Sequence, residues 1–385
     1  LRIAYLSSAC IPSRTANSIH VMKMCHALAR AGHEVVLFAP DKADGRESDM
    51  VDPFDYYGVA RNFIIEHLPW VRMKGRGYWY SWLAAQRVRK QGFDLAVGRN
   101  LSACYFASSL GLPVVYEAHS PVEDDGRLAR YLFGCLVRSS SFRHMVVITD
   151  ALRRHFEQVW PELKGRIVVA PDGADPLEDQ IQPVDLGRPD DRMQVGYTGH
   201  LYAGKGAELV VELARACPQF DFHIVGGTRE DLRRWRERDD LSDNLQLHGH
   251  QSHARIQSYL LSFDALLLPN QPEVRAHGGK RDIGRWTSPL KLFEYMAAGR
   301  AIVCSDVPVL LEVAEHGMNM LVCRHDDVGD WAAALEGLWA DRGWRQSLGA
   351  MAREQLERRY SWDIRASHVL EPAYDLERRG VEPLD

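Results

Sequence analysis

The chain has 385 residues, of which 46% are hydrophobic and 26% charged, and its 47 basic and 52 acidic side chains give a formal net charge of −5. That length exceeds one ordinary core and points to two domains, the composition excludes a disordered chain, and the acidic balance argues against a nucleic-acid binder. Seven scattered cysteines without a CxxC pair argue against a disulfide framework or zinc ribbon, and the absence of a signal-peptide pattern or bilayer-length apolar run makes a cytoplasmic location the expectation.

In chain order, RIAYLS reads as a strand. SIHVMKMCHALARAG reads as a helix with Ile19, Met22, His26 and Ala29 on one face, Ser18 as cap and Gly32 as stop. EVVLFA follows as a second strand, so the start is a βαβ unit, which requires a parallel sheet. FII (63–65), DLAVG, PVVYEA, MVVIT and RIVVA continue the series. Between them PWVRMKGRGYWYSW (69–82) mixes cations with aromatics. Ordinary packing of a loop and helix is the favoured reading, and peripheral contact with an anionic membrane is the alternative.

The polar stretch 175–192 has no periodicity and reads as an interdomain linker. Alternation then resumes with MQVGYTG, a helix from about Gly206 to Ala216, DFHIVGG, a charged helix, LQLHG, another helix and DALLLPN. Next, Leu290, Phe293, Glu294, Met296 and Ala297 recur at helical spacing until Gly299, before strands AIVCSD and MLVCR. From about Ser361 a last helical pattern runs on. Two parallel α/β domains are therefore expected to face a central cleft, with ligands at the carboxyl ends of the strands.

The loops after strands carry the candidate chemistry. GYTGHLYAGKG (196–206) leads from a strand through glycines and Lys205 into a helix start, a setting that suits phosphate, although GKGA is not the P-loop pattern. His248, His250 and His253 in LHGHQSH lack metal-ligand spacing, and a loop closing over a flat ring suits them better. Ser288 and Pro289 would bring the N–H groups of Leu290 and Lys291 to a helix start beside an anion. Glu294, one turn further in, can accept two hydrogen bonds from a ribose diol. In the first half, Glu117 and His119 end the strand VVYEA, and Asn17 and His20 sit near the first helix start, where a substrate can be met.

Taken together, ALARAGHEVVLF, VYEAH, VVAPDGAD, GYTGHLYAGKG, LFEYMAAGRAIVCSDVPVLLE and the late YSWDIRASHVLEPAY resemble the family-4 glycosyltransferases over nearly the whole chain. The resemblance implies the GT-B fold: two Rossmann-like parallel-sheet domains, 1–180 with 363–385 crossing back, and 190–362. It implies a retaining, metal-independent hexosyltransferase that uses a UDP-, GDP- or ADP-sugar and a saccharide or lipid-linked acceptor, in surface polysaccharide or glycolipid synthesis. It places Glu294 on the ribose, Lys205 and the backbone of Leu290 and Lys291 on the diphosphate, and His119 by the reacting sugar carbon. Gly199, His200, His248, His250 and Ser288 complete the donor side, and Asn17, His20 and Glu117 the acceptor side.

This sequence departs from the family pattern at three places. Trp286 stands where a first glutamate is common, as in an SPLK-type subset; His200 stands nearest the usual arginine, with Arg285 and Lys291 as substitutes for its charge; Asp172 replaces an asparagine. Two rivals remain: a non-catalytic nucleotide-sugar-binding partner subunit, which the missing glutamate makes plausible, and a nucleotide-sugar epimerase or hydrolase, another enzyme class on the same fold.

Overall fold

The computed structural model describes residues 1–42, 52–187, 191–274, 282 and 284–379, with backbone alone for 253–254 and 372–379. The chain divides into two compact units, 1–171 with 362–385, and 172–361.

The first unit runs β1 (Arg2–Leu6), α1 (Ala16–Arg30), β2 (Glu34–Asp41), α2 (Pro53–Tyr57), β3 (Ile64–Pro69), α3 (Arg76–Gln91) and β4 (Leu95–Gly98). It continues with α4 (Leu101–Ser109), β5 (Val114–Ala118), α5 (Arg127–Val137), β6 (Phe142–Val147), α6 (Asp150–Val159) and β7 (Ile167–Val169). Its seven strands form one parallel sheet in the order β3-β2-β1-β4-β5-β6-β7. The central strands are apolar on both faces because helices cover both. Helix α1 begins earlier than its sequence suggests. Thr15, not Ser18, is the cap, and its side chain accepts the Ser18 N–H, while the Ser18 hydroxyl donates to the carbonyls of Ser13 and Thr15.

The second unit runs β8 (Gln194–Thr198), α7 (Ala207–Ala216), β9 (Asp221–Val225), α8 (Arg229–Arg236), β10 (Leu245–Gly249), α9 (His253–Ser262) and β11 (Ala265–Leu268). It continues with α10 (Leu290–Ala298), β12 (Ala301–Ser305), β13 (Leu321–Cys323), α11 (Val328–Ala340) and α12 (Arg342–Gln355). The six strands are again parallel, in the order β10-β9-β8-β11-β12-β13. Two apolar clusters flank this sheet, one around Phe263, Phe293 and Met296, the other around Val210, Phe222 and Trp331. The last helix, α13 (Trp362–Arg379), belongs to the first unit and packs on α1 and β6.

The stretch that reads as a linker is a strap on the second unit. Residues 172–180, assigned to the first domain on sequence, lie with the second. Ala174 and Leu177 enter its core, Ile181, Val184 and Leu186 pack against it, and the Ser262 hydroxyl donates to the Val184 carbonyl at 2.9 Å. Apolar residues are spread through this stretch without a helix or strand period, so the pattern alone hid their burial.

Candidate functional site

Each unit gathers a group of polar side chains at the carboxyl ends of its strands. In the second unit the turn after β8 is closed by main chain. Gly206, at φ +77°, caps α7, and a Cβ there would overlap the Pro269 carbonyl beyond β11. The Tyr295 hydroxyl accepts the Thr198 N–H at 2.8 Å, and the Tyr197 hydroxyl donates to the His200 carbonyl at 2.7 Å. These two bonds hold the start of the turn.

Two lysines meet this turn. Lys205 is 9% exposed, with its ammonium 5.6 Å from the Tyr202 ring centroid, and burial lowers its pKa. The Lys291 Nζ sits 4.2 Å over the Tyr197 ring and has no hydrogen-bond partner among the described residues. A Cβ on Gly199 would come within 3.0 Å of that nitrogen. Burial, then the like charge of Lys205, hold the Lys291 pKa well below the usual lysine range, and the charge of Glu294 opposes them in part. Helix α10 starts here with Pro289 as N-cap, no side-chain cap and no acidic residue in its first turn. Bare helix N–H groups and two desolvated lysine side chains are chemically suited to an anion of more than one charge. Glu294, half-buried, lies one turn along the same helix.

The other donor-side candidates are placed less simply. The Ser288 hydroxyl accepts the Asp172 N–H at 3.0 Å, so it serves the chain's own backbone. His200 is exposed and stacks on Tyr202 with centroids 5.3 Å apart. The His248 ring turns into the unit. Its Nε2 lies 3.0 Å from His223 Nδ1, and His223 Nε2 lies 2.8 Å from Gln194 Oε1. His248 thus belongs to a part-buried histidine pair, His250 is exposed, and the His253 side chain lies outside the described residues. Arg285 lies over the Trp286 ring at 5.6 Å.

In the first unit Glu117 ends β5 with its side chain fully buried. Its Oε1 is 2.5 Å from His119 Nε2, 2.9 Å from His20 Nε2 and 2.8 Å from Arg365 Nη2, while its Oε2 has no partner among the described residues. Burial pushes the Glu117 carboxyl up, but Arg365 and His20, with the bond from His119, hold it well below the usual range. Burial and the Arg99 charge push the His119 imidazole down to about 3, against the pull of Glu117. Arg365 also donates to the carbonyls of Ala170 at 3.1 Å and Pro171 at 2.9 Å. Asn17 Oδ1 is buried without a hydrogen-bond partner among the described residues.

Among the described residues, His20, Glu117 and His119 are also the one group whose ligand atoms lie within metal-binding range of one another, at 4.8 Å or less. The Arg365 guanidinium against the same carboxylate oxygen makes that place unfavourable for a cation. Sequence reasoning missed Arg365 and Tyr295. Each lies on a helix far along the chain from the group it holds, with no local motif to mark it.

Comparisons with known proteins agree with this architecture. The family model described as "Glycosyltransferase Family 4" matches residues 18–177, and the one described as "Glycosyl transferases group 1" matches 192–341. A phosphatidyl-myo-inositol mannosyltransferase from Mycolicibacterium smegmatis is 25% identical over 378 residues, covering 94% of this chain and 91% of the relative. The solved sucrose-phosphate synthase of Thermosynechococcus elongatus superposes with a TM-score of 0.73 at 18% identity, covering 98% of this chain and all of that one (100%). Anabaena HepE in complex with UDP and glucose gives a TM-score of 0.69 at 14% identity, covering 98% of this chain and 99% of that one. With two Rossmann-like parallel-sheet units and family matches across both, the chain belongs to the family-4 glycosyltransferases, of GT-B fold.

Proposed function

We propose that the protein transfers a hexose-type sugar from a nucleoside diphosphate donor to a saccharide or lipid-linked acceptor, with retention at the anomeric carbon. The observation that carries this reading is the buried, unpartnered Lys291 ammonium beside Lys205, at a glycine turn and an uncapped helix start. A diphosphate supplies the charge this place lacks, and Glu294 one turn on suits a ribose diol. UDP is the first candidate, because the fold neighbour HepE is described with UDP and glucose.

In the transfer the bond between the anomeric carbon and the diphosphate oxygen breaks, and a bond from the acceptor oxygen forms on the same face. The acceptor's proton passes to the departing phosphate, so no protein nucleophile is needed. Lys205, Lys291 and the α10 N–H groups stabilise the growing charge on the leaving group. That role needs no metal. The resemblance assigns His119 to the transferred sugar.

The test is thermal melting against UDP, GDP, ADP and CMP, repeated with Glu294→Ala. A nucleotide at 100 times its Kd adds about 2.7 kcal/mol, roughly a few degrees in Tm. One nucleotide should shift the melt, and Glu294→Ala should abolish the shift. No shift with any of the four removes the donor-site assignment. Binding without turnover of the corresponding sugar nucleotide favours the non-catalytic subunit, and product without acceptor favours the epimerase or hydrolase.

Peripheral contact with an anionic membrane is supported by Met73 (53% exposed), Tyr78 (40%) and Trp82 (47%) beside exposed Arg72, Lys74 and Arg76. No helix among the described residues is long and apolar enough to cross a membrane. Cosedimentation with anionic vesicles at low salt should be lost in Arg72→Glu/Lys74→Glu; equal pelleting with neutral vesicles speaks against a charge-driven contact.

A further inference from the structure

His119 can meet a substrate in two ways, as donor or as acceptor, and its neighbours choose between them. The buried cluster around it offers one outlet. His20 and Glu117 have side chains 1% and 0% exposed, Arg365 2%, and His119 18%. Only His119 reaches solvent to any extent. Its Nε2 is committed to Glu117 Oε1 at 2.5 Å. An ionised carboxylate only accepts, so the proton of a neutral imidazole must sit on Nε2. Glu117 stays ionised because Arg365 Nη2 donates to the same oxygen at 2.8 Å, from a guanidinium that the carbonyls of Ala170 and Pro171 fix in place.

We propose that Glu117, held by Arg365, is a positioning residue that fixes His119 as the Nε2–H tautomer and leaves Nδ1 as a hydrogen-bond acceptor for a substrate hydroxyl. His119 Nδ1 makes no hydrogen bond to the protein among the described residues. The low His119 pKa agrees, since the ring then stays neutral across the working range. The other charged or titratable groups facing the ring are His20 on α1 and Arg99 after β4, and both disfavour its protonation. The inference rests on the reading of His119 as a sugar contact and adds the direction of the hydrogen bond. It makes His119 accept from the substrate hydroxyl rather than donate to it, and it gives the C-terminal helix a part in fixing that direction.

The test uses protein labelled with 15N at histidine, with the His119 signals identified by their loss in His119→Asn. In the unaltered protein Nε2 should carry the proton and Nδ1 none, from pH 5 to 8. Glu117→Gln should mix or reverse the tautomers, Arg365→Met should do so in part, and Arg365→Lys should restore the original state. The remaining histidine signals report whether each variant is folded. A bare Nε2 in the unaltered protein, or an unchanged tautomer in folded Glu117→Gln, overturns the proposal.

The kinetic arm follows UDP release from UDP-glucose. Glu117→Gln should lower kcat about ten- to a hundredfold, the size seen when a carboxylate that orients a histidine is lost. Asparagine at 119 can place an amide oxygen near the Nδ1 position without Glu117. His119→Asn should therefore exceed His119→Ala in rate, and adding Glu117→Gln to it should cost no more. If His119→Ala leaves the rate unchanged, the sugar contact itself fails. If His119→Ala lowers the rate while Glu117→Gln does so equally in both backgrounds, only the positioning role fails.

Discussion

Lys291 holds its amino nitrogen where no group among the described residues accepts a hydrogen from it. Its pKa, lowered by burial and then by Lys205, must rise when a diphosphate arrives. Binding should therefore take up protons, and affinity should strengthen as pH falls from 9 toward 7.5, above the second phosphate ionisation near about 6. Calorimetry with UDP in two buffers of different ionisation heat measures the uptake, and Lys291→Met should abolish it. Equal affinity at both ends of that window would contradict the anion role. Lys205, Lys291 and Glu294 were singled out in the sequence because a glycine turn after a strand marks the first and a Ser-Pro helix start marks the other two. The place of His248 was not legible. Its stretch was read as a loop closing over a flat ring, whereas His248 lies in β10 with its ring packed on Tyr259 and stacked with His223. Arg365 was invisible for another reason: its partner Glu117 lies 248 residues away in the chain, and no period or motif links them.

At the scale of elements, the glycine turn before α7 shows how little of a site's cost is conformational. Gly32 and Gly206 both have positive φ, at +87° and +77°. Beyond Gly32 nothing lies within 4 Å of a new Cβ, whereas at Gly206 the Pro269 main chain is in the way. Gly32→Ala should cost about 1–2 kcal/mol, the left-handed penalty alone. Gly206→Ala should cost clearly more, because backbone from the β11 end must move. Urea midpoints of the two variants compare them, and equal losses would mean the turn is not rigid. The sequence showed a glycine-rich turn here but not its neighbour, since Pro269 arrives from a strand 63 positions on. The stretch 175–192 was read as an interdomain linker for a similar reason. Burial by irregular backbone leaves no period to detect.

For the molecule as a whole, the central strands of both sheets coincide with apolar runs, because parallel strands covered on both faces need one, whereas the edge strands β3 (IIEHLP) and β10 (LQLHG) carry polar residues. The final crossing was legible from resemblance; its consequence for stability comes from the structure. Trp362, Arg365, Ala366, Val369 and Leu370 are buried, and the Val369 carbonyl lies 2.9 Å from His144 Nε2. A chain ending at Ser361 should leave the first unit without these contacts and Glu117 without its guanidinium, a loss of about 3–5 kcal/mol from the broken ion pair alone. Calorimetric scans should then show an early transition for the first unit. The second unit should still be shifted by the nucleotide that binds the full chain, because Lys205, Lys291 and Glu294 all lie within 172–361. An unchanged first transition would mean that α13 contributes little.

The turn at Gly206 also limits how such a protein can diverge. The main-chain part of the turn has no side chain to exchange at Gly206, and the smallest substitution there meets the Pro269 carbonyl at once. Under the proposed function a new sugar preference must then proceed through the neighbouring side chains, with Trp286 and His200 among the residues that depart from the family pattern. Under the proposed function, the main-chain turn is the part of the donor site least open to exchange, and its rim is the part open to change.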